Sequence, residues 1–312
     1  MQVVENIQEF QKLLKSNEKI GLTIGNFDGF HTGHQYLVKY LQEQTKKRDE
    51  KLAVFTFVPH PKFTIESNAK NFLINSYSER RKFFESMKVD YLMEQKFDRD
   101  FSLLSASDFL EIYILTIPNL RSLYLGYDFS FGANKQGDFK FANTYLSQRG
   151  VEVFLLKKDD SGKNPSSTKI REEIRLGNMS EATRLLGRQF FLDGIVVKGE
   201  GRGKKIGFPT ANIQFDAKLL TPQTGVYVTR TIYKGMVYHS ITNIGINPTF
   251  NQTGKIHVET NIFDFNNEIY GEELRVVFLE KVRDEKKFET VNALVEQIKK
   301  DVTYAKEKQR DT

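Results

Sequence analysis

Hydrophobic and polar residues follow two different patterns along the chain, and the change lies near residue 187. Before it, short apolar runs typical of buried strands alternate with stretches in which apolar residues recur every three or four positions. The runs are residues 20–24, 52–57, 123–125 and 151–156, and the clearest helical stretch contains Tyr36, Leu37, Tyr40 and Leu41. Strands that alternate with helices predict βαβ units around a mostly parallel sheet.

After residue 187, short strand patterns with alternating apolar and polar residues are separated by glycines. They lie at 194–198, 225–233, 236–244, 257–265 and 274–279. The pair Lys234-Gly235 between two of them favours a hairpin turn. The chain then closes with apolar residues at helical intervals, namely Phe288, Val291, Leu294, Ile298 and Val302. This pattern predicts an antiparallel β domain with an amphipathic terminal helix packed against it.

The change of pattern places a domain boundary between residues 182 and 183. Two short helical stretches, 168–176 and 180–186, lead up to and across it. The total of 312 residues agrees with two domains at roughly 150 residues each. We therefore predict an α/β domain over residues 1–182 and a β domain over residues 183–312.

Composition narrows the class of protein further. With 39% hydrophobic and 12% aromatic residues, the chain is globular rather than disordered. No apolar run reaches about 18 residues and residues 1–18 are polar, so we expect no membrane span, no secretory leader and a cytoplasmic location. The absence of cysteine excludes disulfides, thiolate metal sites and a cysteine nucleophile. A net charge of +6 suits nucleic acid and phosphorylated small molecules equally, and no nucleic-acid-binding pattern accompanies it.

Two histidines stand between the strand pattern 20–24 and the helix after it, in the segment 25–34, GNFDGFHTGH. Imidazoles three residues apart, beside glycines and a helix N-terminus, are suited to hold nucleotide phosphates and to stabilise charge during group transfer. This favours adenylyl transfer. Two alternatives stay open: a tight strand-to-helix turn decorated by histidines, and a metal site formed by Asp28, His31 and His34.

Three more segments of the first domain carry candidate ligand contacts. FVPHP (57–61) ends a strand and combines an aromatic ring with two prolines, which suits a flat heterocycle or a plain turn. GYDFSFG (126–132) adds the carboxylate of Asp128 to aromatic rings, in a ligand loop or a core-packing loop. SSTKIR (166–171) places hydroxyls at a helix start with Arg171 one turn later, which suits a triphosphate and equally helix capping.

The second domain offers a glycine-rich segment, 199–207, followed by FPTAN at 208–212. The glycines suit a flap over phosphates or a hairpin loop. Thr210 and Asn212 lie two positions apart on one side of an extended chain, where their oxygens suit Mg²⁺. Glu259, in the strand pattern 257–265, is a candidate general base for a substrate hydroxyl, with a solvated or salt-bridged glutamate as the alternative.

Taken together, seven segments in this order make the chain resemble the bifunctional bacterial riboflavin kinase/FAD synthetase family. After the four in the first domain come GKKIGFPTAN (203–212), NIGINPTF (243–250) and ETNIFDFNNEIYG (259–271). The resemblance implies a Rossmann-like nucleotidylyltransferase domain followed by a six-stranded antiparallel β-barrel riboflavin kinase domain with a terminal helix. It also implies that ATP phosphorylates riboflavin to FMN and then adenylylates FMN to FAD, both with Mg²⁺. No nucleic acid or membrane partner is expected, and the protein is expected to be a monomer or weak homo-oligomer.

The resemblance assigns roles residue by residue. In the first domain it implies catalysis by His31 and His34, and ATP binding by Asn26, Ser167, Thr168 and Arg171. It implies FMN binding by Phe57, Pro59, Pro61 and Asp128. In the second domain it implies a base at Glu259, Mg²⁺ ligands at Thr210 and Asn212, and a loop over ATP that includes Gly199, Gly201 and Gly207.

The chain departs from the family pattern at a few positions, which bear on flavin affinity and relative rates. Val58 stands where an acidic residue is frequent, Pro165 where isoleucine is usual, and Thr260-Asn261 where valine or alanine precedes histidine. Two alternative functions follow. One is a paralogue with a single activity, and the other is a flavin-sensing or RNA-binding regulator on the same scaffold.

Overall fold

A six-stranded parallel sheet organises the first half of the chain. The computed structural model describes residues 1–66, 68–156, 165–199, 201–247 and 255–310. Its contacts divide the chain into two units, one of residues 1–69 and 75–166 and the other of residues 70–74 and 167–312. The strands of the first unit are β1 (Gln2–Val4), β2 (Ile20–Ile24), β3 (Lys51–Val58), β4 (Tyr91–Lys96), β5 (Leu120–Gly126) and β6 (Glu152–Leu156). They lie in the order β1-β4-β3-β2-β5-β6, with every pairing parallel.

Helices cover the sheet on both faces. They are α1 (Ile7–Leu13), α2 (Thr32–Lys47), α3 (Pro61–Ile65), α4 (Tyr77–Ser86), α5 (Arg99–Ser102), α6 (Ala106–Phe109), a π-helical turn (Leu110–Ile114), a 3₁₀ turn (Ala133–Lys135) and α7 (Phe139–Ser147). Successive residues of β3 enter two separate cores: Ala53 and Phe55 pack in one, and Leu52 and Val54 in the other. A strand buried on both faces is the reason its sequence is a continuous apolar run.

The sequence analysis correctly predicted β2, β3, β5, β6 and α2, but it missed β1, α1, β4 and α4. Strand β4 reads YLMEQK, and its Glu94 and Gln95 are nevertheless buried. Glu94 is paired there with Arg80 and Arg81. A buried polar residue is tolerated when it has a partner elsewhere in the fold, and such a partner cannot be read from the strand itself.

The second unit is built on a closed antiparallel barrel. Helices α8 (Ser167–Arg175) and α9 (Met179–Leu186) precede β7 (Phe190–Val197), α10 (Arg202–Lys205), β8 (Ala211–Gln214), β9 (Gly225–Tyr233), β10 (Met236–Asn247), β11 (Lys255–Ile262), β12 (Glu273–Arg283) and α11 (Val291–Arg310). The barrel order is β10-β11-β8-β7-β12-β9. The predicted hairpin at Lys234-Gly235 is confirmed, with both residues at positive φ and Tyr233 paired with Met236. Strand β8 was missed, since four residues give too short a pattern.

The barrel interior contains a ladder of buried hydroxyls. Thr231 donates to Ser240 at 2.9 Å, Ser240 bonds Thr229 at 2.8 Å, and Thr229 bonds Thr242 at 2.8 Å. Thr242 continues the ladder to Thr260 at 2.8 Å. None of the five side chains is exposed.

The terminal helix α11 packs against the barrel, as predicted. On the barrel side, the apolar cluster beneath the helix contains Val226, Val228, Ile241 and Phe263, and Ala305 of α11 belongs to the same cluster. The Gln309 amide also donates to the backbone oxygens of Thr229 and Ser240 at 2.8 and 3.2 Å. In the part of the chain that the structure describes, no helix combines the length and the apolar character needed to cross a membrane.

The second unit includes more chain than the sequence boundary at residues 182 and 183 gives it. Helices α8 and α9 pack on each other, and α9 contacts β7 and β12. Residues 70–74 also belong to this unit. Leu73 exchanges backbone hydrogen bonds with Lys218 and Leu220, and Thr221 N donates to Asn71 Oδ1 at 2.7 Å. The division 1–182/183–312 therefore stays a prediction about separability.

We expect a fragment of residues 167–312 to fold, and to unfold at a higher temperature than a fragment of residues 183–312. The longer fragment keeps Ile170 and Ile174, which are fully buried, and it keeps all of α9. Thermal unfolding followed by circular dichroism measures the difference. Equal midpoints would show that neither α8 nor the first half of α9 contributes to the stability of the barrel.

Candidate active sites

Three predicted ligand segments of the first unit meet at one edge of the sheet. Residues 25–34, called the nucleotide loop below, follow β2; residues 57–61, called the flavin loop, end β3 and begin α3; and residues 126–132 follow β5. Because β3, β2 and β5 are neighbours and parallel, their carboxyl ends lie side by side. Open α/β sheets bind ligands at this edge.

The two histidines of the nucleotide loop stack on each other at the start of α2. Their ring centroids are 3.7 Å apart with an interplanar angle of 17°. His31 is 6% exposed and caps the helix, since its Nδ1 accepts from His34 N at 3.3 Å. A Cβ at Gly33 would lie 3.2 Å from the His31 ring, so glycine allows the tight packing of this turn. The pair therefore has a fixed geometry beside the backbone N–H groups of the helix N-terminus.

The environment of His34 favours its neutral form. Burial, and secondarily the neighbouring His31, hold the pKa of His34 well below its ordinary value of 6.5. Its Nδ1 is buried and has no hydrogen-bond partner among the described residues. The imidazole is thus uncharged at neutral pH before any anionic ligand arrives, and a bound phosphate would raise its pKa.

We expect the protein to lose stability as the pH falls below about 6.5, in part through His34. The pKa of His34 is lower in the folded state than in the unfolded state, so the unfolded chain binds the proton first. The free energy of unfolding keeps its full value from this group above pH 6.5. It falls as the pH drops from 6.5 toward the lower pKa that His34 has in the folded protein. Denaturant unfolding at pH 7.5 and 5.5 measures it. The His34→Gln variant should show a smaller pH dependence, and an unchanged dependence would contradict the assignment.

A metal site formed by Asp28, His31 and His34 is not found. Within the described ranges, no group of three or more histidine, aspartate or glutamate side chains is placed to hold a metal ion. His31 Nδ1 is already occupied as an acceptor of His34 N. The described geometry therefore gives no support to the metal-site alternative.

Asn26 presents an unsatisfied polar atom at the same edge. Its Oδ1 is buried and finds no hydrogen-bond partner within the described part of the chain. A buried acceptor without a partner is costly, and a ligand that donates a hydrogen bond removes that cost. Asn26 thus fits the ligand contact predicted for it.

The predicted flavin contacts differ in exposure. Phe57 is 7% exposed, and its ring packs edge-on against Phe97 and Phe101 at centroid distances of 5.4 and 5.7 Å. Phe57 is thus part of the hydrophobic core. Pro59 and Pro61 are half-buried, and Asp128 is exposed beyond the end of β5. The geometry favours these three over Phe57 as direct contacts.

Ser167, Thr168 and Arg171 belong to the second unit, whereas the nucleotide loop belongs to the first. Ser167 is half-buried and Thr168 exposed on the first turn of α8. Arg171 is 7% exposed, stacks over the Phe72 ring at 3.8 Å and donates from Nε to Phe72 O at 3.0 Å. Phe72, in the segment 70–74 of the second unit, thus holds the Arg171 guanidinium in place. Its role toward ATP stays a prediction.

A second group of polar residues lies on the outer face of the barrel. Glu259 of β11 is paired in register with Asn212 of β8 on one side and with Asn243 of β10 on the other. Directly opposite residues in antiparallel strands have Cβ atoms about 4.5–5.5 Å apart. The structure therefore brings together Glu259 and Asn212, two of the predicted site residues. It adds Asn243, which the sequence analysis had quoted in a motif without giving it a role.

Two glycines of the glycine-rich segment pack against the candidate metal ligands, Gly199 against Asn212 and Gly203 against Thr210. A Cβ at Gly199 would clash with the Asn212 amide, and one at Gly203 would clash with the Phe208 carbonyl oxygen and lie 3.2 Å from Thr210 Oγ1. Gly201 and Gly207 both adopt positive φ and have open space at the Cβ position, next to the short helix α10 that the sequence analysis had not predicted. Glycine at 199 and 203 is thus required for the close approach. Glu200 and the end of the 243–250 motif lie outside the described residues.

Asn261 is a further residue that the sequence reasoning missed as a contact. Its Nδ2 donates to Pro209 O at 2.6 Å, so it ties the segment before Thr210 to the strand that carries Glu259. The sequence had flagged this position only as a departure from the family pattern. Asn261 is two residues after Glu259 in strand β11, so the two side chains lie on the same face of the strand. This spacing could have identified Asn261 from the sequence.

Comparisons with known proteins cover both halves of the chain. The family model for FAD synthetase matches residues 13–169, and the model for riboflavin kinase matches residues 186–309. A bifunctional riboflavin kinase/FMN adenylyltransferase of Bacillus subtilis is 33% identical, over 93% of this chain and 92% of its own length. The protein of that name from Haemophilus influenzae is also 33% identical, over 98% of both chains. A crystal structure of a macrolide-efflux protein from Streptococcus pneumoniae superposes with a TM-score of 0.84 at 32% identity, covering 97% of this chain and 98% of that one.

Proposed function

The chain belongs to the bifunctional riboflavin kinase/FMN adenylyltransferase family, and from this membership we propose that it phosphorylates riboflavin to FMN and adenylylates FMN to FAD. The observation that supports two activities in one chain is that each half keeps its own polar site. The stacked histidines lie at the sheet edge, and Glu259 is paired with Asn212 on the barrel. ATP, riboflavin, FMN and FAD are the proposed ligands. A cytoplasmic location and a monomeric or weakly associating state stay predictions from the sequence.

In adenylyl transfer, a phosphate oxygen of FMN attacks the α-phosphorus of ATP, and the bond to the β-phosphate oxygen breaks to release pyrophosphate. Negative charge builds up on the phosphate oxygens during this step. His31 and His34 are held rigidly at the N-terminus of α2, where they and the backbone N–H groups can stabilise that charge. Asn26, with its unsatisfied Oδ1, would accept a hydrogen bond from ATP. Pro59, Pro61 and Asp128 would contact the flavin.

In the kinase reaction, the 5′-hydroxyl of riboflavin attacks the γ-phosphorus of ATP and ADP leaves. Glu259 would accept the hydroxyl proton and orient the oxygen for attack. Gly199 and Gly203 pack against Asn212 and Thr210, and this close approach of glycine backbone suits the phosphates of ATP. Positioning of this kind supplies much of the catalysis in phosphoryl transfer.

Thr210 and Asn212 fit a Mg²⁺ ion that is bound together with ATP. They provide neutral oxygen donors under the cover of Gly199 and Gly203, and the described residues place no carboxylate cluster there. Mg²⁺ commonly takes only a few protein ligands and completes its shell with substrate phosphates and water. When bound, it would neutralise charge on the β- and γ-phosphates.

We expect the Asn212→Ala variant to need a higher Mg²⁺ concentration for riboflavin phosphorylation. The variant loses an amide oxygen ligand, while FAD formation from supplied FMN should be unchanged. Initial rates across a Mg²⁺ titration at fixed ATP measure the effect. Gln214→Ala, two residues further along β8 and exposed, is the matched control. An unchanged Mg²⁺ dependence in Asn212→Ala would remove this residue from the metal site.

The proposed function is tested by incubating the purified protein with ATP, Mg²⁺ and riboflavin and separating the flavins by chromatography. FMN should appear first and FAD afterwards, and supplied FMN should give FAD directly. Formation of only one product would favour the single-activity paralogue. Formation of neither, with intact flavin binding, would favour a flavin-sensing regulator.

A further inference from the structure

Helix α4 begins beside the carboxyl ends of β2 and β3. One of its side chains, Arg80, reaches both ligand loops, and a second, Tyr77, reaches the flavin loop. Ser76 caps the helix by accepting from Glu79 N at 3.2 Å. Tyr77 and Arg80 then lie one turn apart, and the Arg80 guanidinium sits 5.0 Å from the centre of the Tyr77 ring. Residues three apart on a helix share one face. Both side chains are therefore presented to the loops from a single rigid element.

Arg80 bonds the backbone of both loops. Nη1 donates to Asn26 O in the nucleotide loop at 3.0 Å. Nη1 and Nη2 both donate to Phe57 O in the flavin loop, each at 3.3 Å. The residue is only 4% exposed. One planar group thus sets the distance between the two loops.

Glu94 of β4 holds this guanidinium in place. Its Oε1 accepts from Arg80 Nη2 at 2.9 Å, and its Oε2 accepts from Arg81 Nε at 2.6 Å. The side chains of Arg80 and Glu94 are 5% and 1% exposed, whereas that of Arg81 is 43% exposed. Burying a charged pair costs desolvation free energy that a pair of apolar residues would avoid. A buried arginine aimed at two loop carbonyls is therefore better explained by loop positioning than by stability alone.

Tyr77 contacts the flavin loop directly. Its hydroxyl accepts from His60 N at 2.7 Å. Helix α4 therefore holds the flavin loop at two points, through Tyr77 and Arg80, and the nucleotide loop at one point, through Arg80. This asymmetry gives the two residues different expected effects on the two substrates.

We propose that Arg80 is a positioning residue for adenylyl transfer, which fixes the nucleotide loop and the flavin loop at the spacing that brings ATP and FMN into reacting distance. It acts through the backbone of Asn26 and Phe57. The inference rests on the proposed function, because it assigns one loop to each substrate. Lysine cannot replace arginine here, since a single ammonium lacks the planar fork that reaches two carbonyls and a carboxylate.

The test compares steady-state FAD formation in Arg80→Lys, Tyr77→Phe and Arg81→Gln. We expect Arg80→Lys to raise the KM values for both ATP and FMN and to lower kcat/KM by about 10- to 100-fold, the range for loss of a charged hydrogen bond. Tyr77→Phe should raise the KM for FMN alone. Arg81→Gln removes the other arginine on Glu94 and should leave both KM values unchanged. Riboflavin phosphorylation by the same samples reports the amount of active second unit, and circular dichroism with thermal unfolding reports whether the unit that carries Arg80 is folded.

Several results would overturn the proposal. They are unchanged KM values in Arg80→Lys, a change for one substrate only, or an equal effect in Arg81→Gln. If Arg80→Lys lowers the unfolding temperature, assays at a temperature where circular dichroism shows it fully folded decide the outcome, and recovery of both KM values there would reduce Arg80 to a structural role. Failure of the unmodified protein to form FAD would instead contradict the proposed function, which keeps the two failures apart.

Discussion

Replacing His31 or His34 with alanine is expected to lower the rate of FAD formation from FMN by about 10²-fold or more, the range for loss of a preorganised charge-stabilising donor. The two rings stack at 3.7 Å at the start of α2, so removal of either one leaves the developing phosphate charge without a fixed partner. FMN formation from riboflavin should stay nearly unchanged, since that chemistry is assigned to the barrel. Both rates are measured on the same preparation by chromatography of the flavins.

Two control variants separate charge stabilisation from helix capping. Asparagine is a good N-cap residue, so His31→Asn keeps an acceptor for His34 N while removing the imidazole. It should lose FAD formation as His31→Ala does. Tyr36→Ala changes an exposed side chain of the same helix and should have no effect. If both activities fell together in a folded His34→Ala protein, the assignment of two independent sites would be wrong.

Glu259→Gln is expected to lower the turnover of riboflavin phosphorylation by roughly 10² to 10⁴ with riboflavin binding largely retained. Glutamine is nearly isosteric but cannot accept the hydroxyl proton. The effect should appear in kcat rather than in KM, and FAD formation from supplied FMN should not change. Initial rates over a riboflavin titration, with binding followed by flavin fluorescence, provide the measurement.

Glu273→Gln is the matched control for Glu259→Gln, because Glu273 is an exposed glutamate at the start of β12 in the same barrel. Its kinase turnover should equal that of the unmodified protein. Normal riboflavin phosphorylation by Glu259→Gln would take this residue out of the mechanism. A glutamate that is only solvated on the barrel surface would then be the correct interpretation.

The sequence analysis singled out the candidate ligand segments but missed several of the elements that hold them. Residues 25–34 and 57–61 were recognised because their glycines, prolines and histidines interrupt apolar runs, and the parallel sheet then brings them to one edge. Arg80 was not recognised, since its partners are backbone oxygens of residues 54 and 23 positions away. Every residue has a backbone carbonyl, so the residue type of the partner does not reveal such a contact.

The barrel illustrates a second limit of pattern reading. Alternation predicted the strands β9 and β10, but it did not show which face is inside. Val226 and Val228 pack in the cluster beneath α11, and the fully buried Thr229 and Thr231 belong to the hydroxyl ladder. When a helix covers the outer face of a closed barrel, both faces are buried, and hydrophobicity alone cannot distinguish them.

The hydroxyl ladder of the barrel also restricts how this interior can change over evolution. Replacing any one of its five side chains by an aliphatic residue removes at least one buried hydrogen bond from a neighbouring hydroxyl, at a cost of about 1–3 kcal/mol. Replacing all of them by apolar groups of the same shape is nearly neutral in principle. The starting and final sequences are thus both viable, while each intermediate between them is less stable than either. An aliphatic interior can therefore be reached by replacing the five residues together. Single substitutions in succession would pass through less stable proteins.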